Sequence, residues 1–190
     1  MNNLREILAR LALILIVGCA CPLKAGEVKE ASVTYEKGVY RLVFKVVIDA
    51  DLKKVRTIVT DYQHLYQLSQ MLTQSTLMDT PKDRPPRRLL VARVCWLIFC
   101  REIRAVEDIE TAGDVINTRL IPEQCDFKSG STRWQLSALA ERSSRVEFTG
   151  DLQPDFWIPP VIGPLLVKHR LMKEALLMIG NIETVAAAYD

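Results

Sequence analysis

The side chains able to do chemistry are few in this 190-residue chain, which has two histidines and five cysteines. His64 stands among Tyr62, Leu65 and Tyr66, and His169 lies between Lys168 and Arg170. Both read as ordinary helix residues rather than as bases. Asp49 with Asp51, and Asp151 with Asp155, are close enough to serve as acid/base pairs, yet helix capping and loop solvation account for them without a reaction. The sequence contains no Gly-x-Ser-x-Gly elbow, no HExxH, no phosphate-binding glycine loop and no CxxC pair. Nor is there ligand spacing for a structural zinc. These residues make no catalytic set, call for no cofactor and offer no metal site.

Cys95 and Cys100 bracket Trp96-Leu97-Ile98-Phe99. In one extended strand the two sulfurs would be roughly 16 Å apart, beyond the approximately 7 Å reach of a disulfide, so a bond requires a turn between them. The apolar and charged run from Arg88 to Glu110 is too long for one typical strand, which makes a hairpin reasonable. An oxidising compartment then permits the bridge, and two free buried thiols are the alternative. With the turn in place, the residues at its tip form an apolar rim.

Compartment is addressed by the first residues. Arg5 and Arg10 precede an apolar run, Leu11 to Val17, that is too short to span a bilayer. A positive start, a short apolar stretch and small residues describe an export signal, so residues 1–18 are set apart from the fold, 19–31 are assigned as a linker and 32–190 as the domain. Ile16-Val17-Gly18-Cys19 resembles a bacterial lipobox, in which Cys19 would carry lipid; cleavage after Ala25 is the alternative. The expectation is an exported, periplasmic chain held at the membrane surface by an N-terminal lipid anchor. With 25 Lys and Arg against 23 Asp and Glu, the net charge of +2 lacks the basic field of a nucleic-acid binder. The one basic run, Lys82 to Arg88, reads as a solvated hairpin loop, with anionic headgroup attraction as its other use.

The remaining elements follow from periodicity. Val33–Glu36 and Val39–Ile48 flank the turn signal Lys37-Gly38, and Leu42, Phe44, Val46 and Ile48 alternate along the second strand. A helix follows from Leu52 to Tyr62, capped by Asp49 or Asp51, with a short helical piece over Gln63–Ser69. Strands are expected at Thr73–Met78, Arg88–Trp96, Glu102–Ile109, Val115–Ile121, Ser131–Ala140 and Arg145–Leu152, with breaks too short for parallel crossovers. The chain ends in an amphipathic helix, Gly163–Ala188, nearly 40 Å long at about 1.5 Å per residue. Leu165, Met172, Leu176, Ile179, Ile182 and Ala186 are assigned to its inner face. The fold class is α+β: a curved antiparallel sheet of about seven strands, with two short helices after the first main strand, wrapped around the C-terminal helix. Strand parity turns Leu42, Phe44, Val46, Leu90, Ala92, Val94, Trp96, Ile116, Thr118, Leu120, Trp134, Leu136, Ala138, Val146 and Phe148 inward.

Three segments carry a family likeness: Ile58-Val59-Thr60-Asp61-Tyr62; Pro122-Glu123-Gln124-Cys125-Asp126-Phe127 ahead of Trp134; and Pro154-Asp155-Phe156-Trp157-Ile158-Pro159-Pro160 leading into Gly163-Pro164. With the element order, they make the chain from about residue 33 to 188 resemble the START-like (SRPBCC, helix-grip) superfamily, in its coenzyme Q-binding and polyketide cyclase/dehydrase branch. Cys125 replaces the small polar residue expected in relatives, and no role is placed on it. The resemblance implies noncovalent binding or carriage of a hydrophobic small molecule, of lipid or quinone class, between sheet and helix. The candidate contacts are Val94, Trp96, Leu120, Trp134, Leu136, Phe148, Met172 and Leu176, with Phe156 and Trp157 at the rim. A ligand-free protein-interaction module and a cyclase/dehydrase-like enzyme are the two alternatives.

Overall fold

The computed structural model describes residues 26–96, 99–159 and 162–189, and only the backbone of residues 96 and 99. The export signal, Cys19, the cleavage point after Ala25, the hairpin tip at Leu97 and Ile98, the Trp96 side chain and Pro160 lie outside the described residues.

Eight strands form one antiparallel sheet: β1 (Glu27–Glu36), β2 (Val39–Ile48), β3 (Leu72–Met78), β4 (Arg87–Trp96), β5 (Phe99–Ala112), β6 (Val115–Leu120), β7 (Phe127–Ala140) and β8 (Ser143–Pro154). Their spatial order is β1-β2-β8-β7-β6-β5-β4-β3, so only the β2–β8 pairing joins strands distant in sequence. Helix α1 (Leu52–Thr60) and a single 3-10 turn at Leu65–Gln67 follow β2, and helix α2 (Gly163–Ala188) follows β8. The strand count is eight rather than seven because β1 is a full strand. It begins at Glu27, inside the segment assigned as linker, and its alternation is hard to read because nearly all of it is solvent-facing.

Local chemistry sets the connections. Lys37 and Gly38 both take positive φ in the β1–β2 turn, the backbone that suits a tight hairpin between twisted strands. Asp51, rather than Asp49, caps α1: its Oδ1 accepts from the Lys54 amide at 2.9 Å. The Asp49 amide instead donates to Glu183 Oε1 on α2, and the Gly26 amide donates to Glu183 Oε2. One carboxylate thus ties the start of β1 and the end of β2 to the last turns of the helix.

Two packed clusters hold α2 against the sheet. Towards its C-terminal end, Ile182 and Ala186 join Val46, Ile48, Val55, Ile58, Val59, Leu136 and Val146. Towards its N-terminal end, Val167, Leu171, Met172 and Ala175 pack on Val33, Tyr40, Leu42 and Phe44. Cys95 and Cys100 lie directly opposite each other on β4 and β5 and form a disulfide, the bonded one of the two alternatives the sequence left open.

Tyr40 is 1% exposed, and its hydroxyl has no hydrogen-bond partner among the described residues. Burial, with a smaller contribution from Tyr35, pushes its pKa from 10.0 up to about 12. A raised phenol pKa means the folded state holds its proton more tightly than the unfolded chain, so this contribution is complete below pH 10 and is lost as pH climbs towards 12. Urea titrations across that window are expected to show a falling unfolding free energy. Tyr40→Phe removes an unsatisfied buried hydroxyl, so it is expected to match or exceed the parent near neutral pH and to flatten the alkaline loss. An unchanged alkaline slope in the variant would assign that loss to other groups.

Candidate ligand cavity between sheet and helix

The sheet and α2 face each other along the length of the helix. Between them lies a cavity of about 270 Å³, near the lower end of ligand-binding pockets. Smaller compartments of about 90 Å³ and 70 Å³ share lining residues with it. Phe44, Phe148, Trp134 and Ile116 lie side by side across β2, β8, β7 and β6 and form one wall. The Trp134 ring meets Phe148 edge to face, with centroids 4.8 Å apart. The helix contributes Leu171, Glu174, Ala175 and Met178 to the opposite wall. Gly130 lies close against Leu120 and Leu152, so a Cβ at that position would displace their side chains.

Several expected contacts do line this space. Leu120, Trp134 and Phe148 line the main cavity, while Val94 and Phe156 line the 90 Å³ compartment beside Tyr40. Phe156 also packs edge-on against Phe127, with the Arg101 guanidinium over its ring. Other residues fall elsewhere. Leu136 is 2% exposed and belongs to the solid core, because it lies level with α1 rather than with the gap. Met172 packs beside the second cluster, and neither it nor Leu176 lines the cavity. Leu165 and Leu176, at 69% and 42% exposure, face out. The helix is apolar around most of its circumference, so an alternative stripe through Leu171, Ala175, Met178 and Ile182 fits the periodicity equally well and is the one buried. Trp157 is 77% exposed and touches no part of the cavity. Ala138 is likewise exposed, near the end of β7 beyond the packed face.

Three ionisable residues line the main cavity that the sequence reading did not place there: Arg88, Glu107 and Glu174. Arg88 stands where the basic run 82–88 meets the expected strand Arg88–Trp96; it is the second residue of β4 and shares parity with Leu90 and Ala92. It is 8% exposed, donates through Nε to Glu107 Oε1 at 2.5 Å, and lies 5.0 Å from the Tyr62 ring centroid. Strand parity alone could have found this pair, since Arg88 and Glu107 are directly opposed on β4 and β5. Glu174 is 6% exposed and accepts from Ser69 Oγ and from the Met71 amide at 3.3 Å.

The other chemical candidates lie outside the cavity. His64 Nδ1 pairs with the Asp61 carboxylate on the surface, and His169 is exposed on α2. Asp151 pairs with Arg41 and Asp155 with Lys128. Among the described residues no group of three His, Cys, Asp or Glu is placed to hold a metal. A larger groove of about 680 Å³ crosses the solvent face of the sheet, but its Arg41 and Arg133 are already engaged by Asp151 and Asn117.

A buried pair that loses one member leaves the other charge desolvated. Arg88→Met and Glu107→Leu are each expected to lower the unfolding free energy by about 3–5 kcal/mol, while the double variant recovers most of that loss. Urea unfolding of the four proteins makes the comparison. Simple addition of the two single losses would show that the groups do not support each other.

No family model matches the sequence, and no curated protein matches it significantly. Solved structures do share its fold. A START superfamily protein from Mycobacterium smegmatis superposes with a TM-score of 0.62 at 19% identity, over 76% of this chain and 98% of that one. The Zhui aromatase/cyclase from a Streptomyces species gives 0.61 at 11% identity, over 78% and 94%. A STAR-related lipid transfer protein from Xanthomonas axonopodis gives 0.57 at 16% identity, over 83% and 98%. With its eight-stranded antiparallel sheet closed over a long C-terminal helix, the chain has the START-like, helix-grip fold.

Proposed function

We propose that this chain binds and carries a hydrophobic small molecule of lipid or quinone class, held noncovalently between the sheet and α2. The observation that carries this reading is the cavity itself, walled by Trp134, Phe148, Phe44, Leu120, Leu171 and Met178 at the centre of the fold. A sequence selected only for stability fills such a space, because each lost contact destabilises the core. Apolar burial at about 25 cal/mol per Å² gives several kcal/mol for a ligand covering a few hundred Å². The fold neighbours point the same way, one being named a lipid transfer protein.

A second reading, a cyclase/dehydrase-like enzyme, is favoured by the ionisable groups in the cavity and by the aromatase/cyclase neighbour. Against it, Arg88 and Glu107 neutralise each other and the cavity lining holds no histidine. The interaction-module reading draws on the exposed apolar residues Trp157, Ile162, Leu165 and Leu166. It leaves the internal space unexplained.

Export and tethering belong to the same proposal. Arg5, Arg10, the apolar run Leu11–Val17 and Cys19 support an acylated periplasmic form that keeps the domain beside its source of lipid. Labelled fatty acid is expected to enter the protein in a bacterial host and to be absent from Cys19→Ala. Incorporation that survives the substitution would sink the anchor.

Native mass spectrometry of gently purified protein is expected to show a stoichiometric hydrophobic adduct, identifiable after organic extraction. Ala175→Phe fills the gap from the helix side and should reduce the bound fraction at least about tenfold while circular dichroism stays unchanged. A clean apo mass that takes up no offered quinone or lipid would reject the carrier reading.

A further inference from the structure

Glu174 has a role that packing does not account for. It lies near the middle of α2, between Leu171 and Ala175 on the cavity wall, and is among the few charged residues of the chain that are nearly fully buried. Its Oε1 accepts from both Ser69 Oγ and the Met71 amide, while Oε2 accepts no hydrogen bond among the described residues and keeps some accessible surface. Glu107, its counterpart across the cavity, is neutralised by Arg88. Glu174 has no such cation among the described residues. Arg170, one turn earlier on the same helix, is directed to Met71 Sδ, 3.3 Å from its Nε, and lines the neighbouring compartment.

A glutamine would accept the same two hydrogen bonds through its amide oxygen without placing a carboxylate in an apolar cavity. A buried carboxylate with an unused oxygen is costly unless a donor meets it. We propose that Glu174 is the head-group anchor of the bound molecule, and that the ligand's polar end is therefore a hydrogen-bond donor, a hydroxyl or an ammonium, rather than a carboxylate. This rests on the carrier reading and narrows it. A hydroxyl or ammonium group placed at Oε2 satisfies the open acceptor while the alkyl or ring portion occupies the aromatic wall. A carboxylate in the same place would set two like charges side by side in a medium of low dielectric.

Decanol, decylamine and decanoate share one chain and differ only in the head group. Each is titrated at pH 7 against N-phenyl-1-naphthylamine, a neutral dye whose fluorescence reports occupancy of an apolar site, using the purified full-length protein. Decanol and decylammonium are expected to displace the dye at concentrations at least about tenfold below decanoate, and Glu174→Gln should compress that spread to within about threefold. The variant's folding is checked by circular dichroism and thermal melting, and the ranking in the parent protein stands as a test by itself. Decanoate binding as tightly as the others, or a spread unchanged in Glu174→Gln, would overturn the anchor while leaving a carrier of some other ligand. A protein that binds neither the dye nor any of the three would reject both readings.

Discussion

The structure depends on how one helix of 26 residues is laid across an eight-stranded antiparallel sheet. Contact is made at two places. Ile182 and Ala186 seat one end of α2 on α1 and on β2, β7 and β8, while Val167, Leu171 and Met172 seat the other on β1 and β2. Among the large side chains that line the space between these contacts, the helix places Ala175 and the sheet Ala92 and Ala105, and these small residues leave room for a cavity. The two clusters make that cavity tolerable, because burial at both ends offsets the contacts missing at the centre.

The polar groups inside follow from the same geometry. An apolar cavity wide enough for a ligand also lowers the local dielectric, which strengthens the attraction between Arg88 and Glu107 and raises the penalty on whatever is left unpaired. Arg88 is enclosed further by the Tyr62 ring, at the end of the segment that carried the family likeness. Glu174 has a second duty, holding Ser69 and the Met71 amide and so fixing the entry into β3. One side chain thus joins the helix, the entry into β3 and the interior space.

Much of the architecture was legible in the sequence because strand alternation is a robust signal. Leu42, Phe44, Val46, Ile116, Leu120, Trp134 and Phe148 all turn inward, as parity requires. Cys95 and Cys100 could bond only across a turn, and the pairing of β4 with β5 brings them together in a disulfide. Distance along the sheet axis was not legible. Leu136 and Trp134 have the same parity, yet one is solid core and the other lines the cavity, and nothing local distinguishes them. At Arg88, which both opens the expected strand and ends the basic run, the charged and proline neighbours favoured the solvated reading and left its inward parity unread. Glu174 was invisible for a related reason: a glutamate on a helix with basic neighbours looks like any solvated position until its stripe is fixed.

That stripe was the hardest feature to place, and the reason bears on how the domain is held together. Ile162, Leu165, Leu166 and Leu176 are exposed while Val167, Leu171, Ala175 and Met178 pack inward, so α2 is apolar on more than one side. Hydrophobicity by itself does not set its rotation; directed bonds do. Glu183 receives the Gly26 and Asp49 amides, Asn181 donates to the Leu68 carbonyl at 3.0 Å, and Glu174 holds the Ser69 turn. These all lie in the C-terminal two thirds of the helix. The N-terminal third has no side-chain cap and rests on apolar contacts with Ile158 and the β1–β2 cluster, supplemented by the Arg170 contact to Met71. Apolar contacts are non-directional and come apart without leaving buried donors unsatisfied, whereas separating the other end exposes a charged clamp. The end of the helix beside Phe156 and the Tyr40 compartment is therefore held mainly by non-directional apolar contact, while directed bonds fix the rest.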